Sequence, residues 1–273
     1  MYFETVYVTP EIAAEWLQSN DGNRTVKRQT VEQYARDMSA GRWLMTGEPI
    51  KFTADSRMLD GQHRCLAVIA SGVAVLMAVV RGLDSGTQLV MDSGPSRSAA
   101  DALKIKGGKS VNQLASIAKL TVHWGRGEIT HAHISLKPLS HAEIVAAVDS
   151  DPTLEVATAL GNKLAHRRNH AGIRATPTGI GFAYWLISGA AGEDKATEFL
   201  EDIALLRTSG NGDPRFAAIQ RLNSASDNKE QLRNMTQAFI FVMAWNAYRL
   251  NKTVSRIQIA SHGKYLAFPE PSA

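Results

Sequence analysis

The spacing of apolar and polar positions changes character near residue 100. Before that point, short β-forming runs alternate with short amphipathic stretches; beyond it, apolar residues recur every three to four positions. Phe3 to Val8 is rich in β-formers and predicts a strand closed by Pro10. Thr9 then caps a helix that has Pro10 at its first position and runs through Trp16 and Leu17. Ser19 to Gln29 is polar, basic and glycine-bearing, and reads as a loop. Thr30, with Gln33 three residues on, predicts a capping box and a second helix whose stripe is Val31, Tyr34, Ala35 and Met38. Pro49 to Thr53 and Arg57 to Leu59 predict two strands around the turn Ala54-Asp55-Ser56. Gln62 to Ala70 reads as a helix stopped by Gly72, and Val73 to Val80 as a buried strand. Thr87 to Met91 predicts one more strand.

After residue 98 the helical period takes over. It predicts helices at Ser98 to Ile105, Val111 to Trp124, Ser140 to Val148, Pro152 to Leu164, Thr176 to Ile187, Glu193 to Leu206, Pro214 to Leu222 and Lys229 to Tyr248. The expected architecture is α+β: a small mixed domain over residues 1–105, then an all-α helical domain over 106–273, divided at Lys106-Gly107-Gly108-Lys109. The tail from Phe268 reads as loose.

Composition narrows the class. A chain of 273 residues, 44% hydrophobic and 21% charged, is ordinary for a globular protein. No apolar run approaches the roughly 18 residues of a membrane span, so no membrane partner is expected. One cysteine, Cys65, allows no intrachain disulfide and makes a reducing, cytoplasmic setting the expectation. The net charge of +4 suits nucleic acid or phosphate ligands without establishing either. Neither the Gly-x-x-x-x-Gly-Lys-Ser/Thr phosphate loop nor a Gly-x-Ser-x-Gly nucleophile motif occurs.

The densest chemistry is Asp60-Gly61-Gln62-His63-Arg64, where a predicted strand turns into a predicted helix. The first amides of a helix lack internal partners and carry partial positive charge. Gly61 lets the backbone approach closely, Arg64 brings a fork of donors, and His63 a donor or proton carrier; together they describe an anion site. The plainer alternative has Asp60 capping the helix, Arg64 paired with an acid and His63 half-buried. Glu48 at a strand entrance is a candidate base. Asp92 is a candidate Mg²⁺ ligand and Arg97 a candidate phosphate contact. Arg24, Lys27 and Arg28 form a basic entry to the second helix, and Arg167, Arg168 and Arg174 mark a basic stretch suited to a nucleic-acid backbone. His131-x-His133 lacks an acid or Cys to complete a metal set. Trp245, Tyr248 and Phe241 are spaced as core.

The strand–glycine–helix arrangement resembles the phosphate-binding motif of the ParB/sulfiredoxin superfamily. The nearest form is the Asp-Gly-His-His-Arg of ParB-fold free serine kinases, met here at Asp60, Gly61, His63 and Arg64. The order of a helix with a basic entry, a Gly-Arg-Trp turn, Pro49-Ile50, a hairpin and then the motif is also similar, over roughly residues 1–95. Layout is looser in its likeness to phage ParB-like proteins with a helical C-terminal part. Gln62 stands where sulfiredoxin has its reactive cysteine, so thiol chemistry is not expected. The resemblance implies nucleotide binding, with ATP or CTP as the ligand, and Mg²⁺-dependent hydrolysis or phosphoryl transfer in a DNA-linked setting. Gly61, Gln62, His63, Arg64, Arg97 and Arg24 would hold phosphates. Asp60 or Asp92 would hold the metal, and Glu48, Asp60 and His63 would serve catalysis. A ParB-like DNA binder without turnover and a ParB-like nuclease are the alternatives.

Overall fold

The computed structural model describes residues 1–20, 23, 25–90, 98–105, 107–166, 174–227 and 230–273. It is mixed α+β, with a helix-rich C-terminal part. Two compact units emerge: Met1–Ser98 with Lys137–Glu143, and Ala99–Leu136 with Ile144–Ala273.

The first unit is built on a four-stranded sheet of order β1-β4-β2-β3, with strands β1 (Tyr2–Val8), β2 (Ile50–Thr53), β3 (Met58–Asp60) and β4 (Val75–Leu83). β1 runs antiparallel to β4, β2 parallel to β4, and β3 antiparallel to β2. Alternation does the work of a half-covered sheet. Val6 and Val8 of β1 lie opposite Met77 and Val75 of β4 and belong to the core, whereas Phe3 and Tyr7 on the other face stay largely exposed. Helices α1 (Pro10–Leu17), α2 (Arg28–Ser39) and α3 (Gln62–Ser71) complete this core through Ala13, Met38, Cys65, Ala67 and Val68. Thr9 caps α1 as expected, its hydroxyl accepting from the Ile12 amide at 3.3 Å.

Two local expectations are corrected. α2 begins at Arg28, not after Thr30, and no capping box forms there. Its cap residue is Lys27, whose amide donates to His63 Nε2 at 3.0 Å; a side chain distant in sequence sets the helix start. Thr87 does not open a strand: Ser85–Val90 is a 3₁₀ helix. Asp84 starts it, accepting from the Gly86 amide through its side chain and from the Thr87 amide through its carbonyl, so turn chemistry overrides β-propensity.

The second unit contains α4 (Ala99–Ile105), α5 (Val111–Gly125), most of α6 (His141–Ser150), α7 (Thr153–His166), α8 (Pro177–Ala191), α9 (Glu193–Ala204), α10 (Pro214–Asp227) and α11 (Asn234–Arg249). α8 is apolar nearly all round and buried along most of its length, which makes it the central helix. Gly161 of α7 and Gly181 of α8 permit the close approach: a β-carbon on Gly161 would strike the Pro177 carbonyl. A small hairpin, β5 (Ala260–Ser261) with β6 (Lys264–Tyr265), qualifies the expected all-α character. Nor is the tail loose. Trp245 Nε1 donates to the Ser272 carbonyl at 2.8 Å, and Asn246 bonds Glu270 and Ser272. No described helix is long and apolar enough to cross a membrane.

Candidate anion-binding cleft

The Asp60-Gly61-Gln62-His63-Arg64 stretch does span the end of β3 and the first turn of α3. Gly61 is the cap residue, at φ +118°, a conformation L side chains rarely adopt. Its Cα also faces Ile50 so closely that a β-carbon would come within 2.8 Å of Ile50 Cγ2. The glycine is therefore required twice, by backbone conformation and by the neighbouring strand.

The side chains around it are tied to one another. Asp60 Oδ1 accepts from the Gly61 amide at 2.7 Å, and Oδ2 from Arg64 Nη2 at 2.9 Å, with Lys51 Nζ at 3.6 Å. Arg64 also donates to the backbone carbonyls of Glu48 and Pro49, the latter at 2.9 Å. Its fork thus clamps the Glu48-Pro49 segment to the start of α3. Gln62 is buried and accepts from Asn20 Nδ2 at 3.2 Å; Asn23 Nδ2 donates to the Met58 carbonyl at 2.8 Å. His63 is buried, and because Nε2 accepts the Lys27 amide, its neutral form carries the ring proton on Nδ1.

Beside this turn opens a cleft of about 720 Å³, within the range of small-molecule sites. Lys27, Thr30, Tyr34, Arg42, Trp43, His63 and Arg64 are among the residues that line it. Tyr34 and Trp43 meet edge to face at 5.4 Å and give the cleft an aromatic wall. Glu48 lines the cleft and is exposed; among the described residues its carboxylate has no hydrogen-bond or ion-pair partner.

A network within the same unit adjoins the cleft, which Asp37 and Arg42 also line. Asp37 is buried, accepting from Arg42 Nε at 3.2 Å and from Ser140 Oγ at 2.8 Å. Glu143, also buried, accepts from Arg36 Nε at 3.1 Å and from the Ser140 amide at 2.6 Å, while its own amide donates to Ser140 Oγ. Ser140 and Glu143 thus form a reciprocal capping box. Buried carboxylates persist only when paired and hydrogen-bonded, and both are.

No family model, curated protein or solved structure matches this chain. The likeness to the ParB/sulfiredoxin superfamily therefore rests on the sequence motif.

Of the residues singled out in sequence, the cleft gathers Lys27, Glu48, Asp60, Gly61, His63 and Arg64. Gln62 packs beside them without lining it. Arg24, Asp92, Arg97, Arg167 and Arg168 lie outside the described residues. Arg174 is exposed. His131 and His133 both stack on Tyr265, and among the described residues no group of three His, Cys, Asp or Glu side chains could hold a metal. Phe241 and Trp245 are core; Tyr248 is partly exposed beneath the Arg215 guanidinium. Sequence reading passed over Thr30 as a cleft residue, the Tyr34–Trp43 wall and the Asp37–Arg42 pair. The Ser140-x-x-Glu143 spacing was the one visible signal of the network.

Fit to Mg²⁺ is uneven. Both Asp60 oxygens are engaged, so ligation there would break the Arg64 and Lys51 pairs. Glu48 is the cleft carboxylate best placed to meet a cation, and Mg²⁺ bound alongside phosphates needs only one or two carboxylates.

Proposed function

We propose that the first unit binds a nucleoside triphosphate, ATP or CTP, in this cleft, and that the protein hydrolyses it or transfers its phosphoryl group in a DNA-linked setting. The observation that carries this reading is the convergence in one cleft of a glycine-led helix start, the cations Lys27 and Arg42, and an aromatic wall. A helix N-terminus and flanking cations suit phosphates, and an aromatic wall suits a base. In this reading Lys27 contacts phosphates, while His63 positions it through the Lys27 amide. Arg64 acts mainly as a positioning residue, holding the segment that carries Glu48. Glu48 accepts the proton of the attacking water or hydroxyl. Mg²⁺ would arrive with the nucleotide and screen phosphate charge.

Calorimetric titration with ATP, CTP and GTP, each with and without Mg²⁺, tests the binding. Phosphate release with and without DNA tests turnover. Lys27→Glu should weaken nucleotide binding about tenfold or more through loss of a charge-assisted contact. Glu48→Gln should keep binding and abolish release. Absence of nucleotide binding at millimolar concentration overturns the reading; a DNA shift without turnover would favour a non-catalytic DNA binder, and DNA cleavage a nuclease.

A further inference from the structure

β1 is an edge strand: among the described residues it pairs only with β4. Every second residue of an antiparallel edge aims its N–H and C=O away from the sheet, and proteins usually blunt such edges with lysine, proline, bulges or short length. β1 carries none of these. It is seven residues long, Tyr2-Phe3-Glu4-Thr5-Val6-Tyr7-Val8, paired in unbroken register with β4. Its one carboxylate, Glu4, is already paired with Arg81 at 2.7 Å on the core-side face. On the opposite face Phe3 and Tyr7 are 70% and 67% exposed, with Thr5 exposed between them.

We infer that this edge pairs with β1 of a second copy of the chain, antiparallel and centred on Thr5. The strand is self-complementary in that register. Its full length overlaps only when Thr5 lies opposite Thr5, which sets Phe3 opposite Tyr7 of the second copy and Tyr7 opposite Phe3. Two cross-strand aromatic pairs form, of the kind that stabilises sheets. Glu4 falls opposite Val6, so no like charges meet; sliding the strands by two residues would bring Glu4 against Glu4. The two-fold operation closes the contact, joining two four-stranded sheets into one continuous sheet without building a fibre. The pairing is independent of the nucleotide reading.

The contact is small, so association in the micromolar range is expected. Sedimentation equilibrium of the full chain up to about 200 µM should show a monomer–dimer equilibrium. Thr5→Lys places two ammonium groups face to face only in the dimer. Because Thr5 is exposed in the monomer, that variant should keep its circular dichroism spectrum and melting curve yet dissociate about tenfold more readily. A thiol test fixes the register. Residues opposite each other on antiparallel strands have Cα atoms about 4.5–5.5 Å apart, within disulfide range. Cys65 is fully buried and does not interfere. Thr5→Cys should cross-link to a covalent dimer under mild oxidation, whereas Phe3→Cys, whose copies would lie about 13 Å apart along the strand, should not. A strict monomer across the whole range, a dimer indifferent to Thr5→Lys, or cross-linking through Phe3→Cys but not Thr5→Cys would each overturn the inference.

Discussion

Arg64→Ala offers the most direct test of how the glycine-led turn is built. The substitution removes donors from the Glu48 and Pro49 carbonyls and from the Asp60 carboxylate. The Arg64 side chain is only 14% exposed. The Glu48 contact is at the surface and counts for little. The other two are partly buried, and hydrogen bonds to charged groups there contribute about 1.5 kcal/mol each at the low end. Asp60 keeps Lys51 at 3.6 Å, which softens the loss. About 2–3 kcal/mol of stability should therefore disappear, lowering the melting midpoint of a unit this size by about 10–20 °C. Arg64→Lys should recover roughly half, since one ammonium can meet Asp60 but cannot reach both carbonyls. Thermal scans of the three proteins, with nucleotide titrations well below the midpoints, separate the roles. A midpoint for Arg64→Ala within about 2 °C of the parent, combined with binding weakened tenfold or more, would refute the clamp and make Arg64 a direct ligand contact.

Gly61→Ala meets both the positive φ and Ile50, so it should cost at least about 2 kcal/mol and leave little folded first unit at moderate urea, read by circular dichroism. Burial pushes the Cys65 thiol up to about 12; the native protein should react with a thiol reagent at pH 8 far more slowly than after unfolding, and Cys65→Ser should keep any turnover. In the second unit, burial works to raise the Asp213 carboxyl, but its bonds to Arg215 and to the Ser209 and Arg215 amides outweigh that and hold it below the ordinary range. Its stabilising contribution is present above the unfolded-state value and is lost as pH falls through the lower folded value. Asp213→Asn should accordingly lower the melting midpoint at pH 7, with the difference from the parent shrinking below about pH 4.

Patterns local in sequence proved readable. The cap at Thr9, the turn before α3, the stop at Gly72 and the eight described helices beyond residue 98 follow from spacing and capping chemistry within a few residues, although the last of them begins at Asn234 and leaves residues 230–233 outside it. What spacing could not show were contacts between residues far apart. α2 starts at Arg28 because His63 holds Lys27, and no window around Thr30 contains His63. The tail reads as loose because Phe268-Pro-Glu-Pro-Ser-Ala lacks periodicity, while its order comes from Trp245, Asn246 and Arg249 on α11. The motif residues were visible in the candidate site, but their mutual engagement was not. Asp60 and Arg64, four apart, form an ion pair whose remaining donors go to protein carbonyls, and only coordinates show how much of that fork is already used.

The Ser140–Glu143 capping box has a consequence for the order in which the chain can become stable. Asp37 and Arg36 are made early, yet their partners Ser140 and Glu143 lie more than a hundred residues downstream. A nascent chain halted at Ser98 would hold the whole sheet and α1 to α3, but the buried Asp37 carboxylate would lack its hydroxyl donor and Arg36 its acid. The first unit is thus completed only after Ala99–Leu136 has been synthesised and looped out, with the entropy of closing that loop set against the late contacts. Translation through residue 143 becomes a checkpoint, and fragments cut at the apparent boundary near residue 98 should be markedly less stable than the same residues within the full chain.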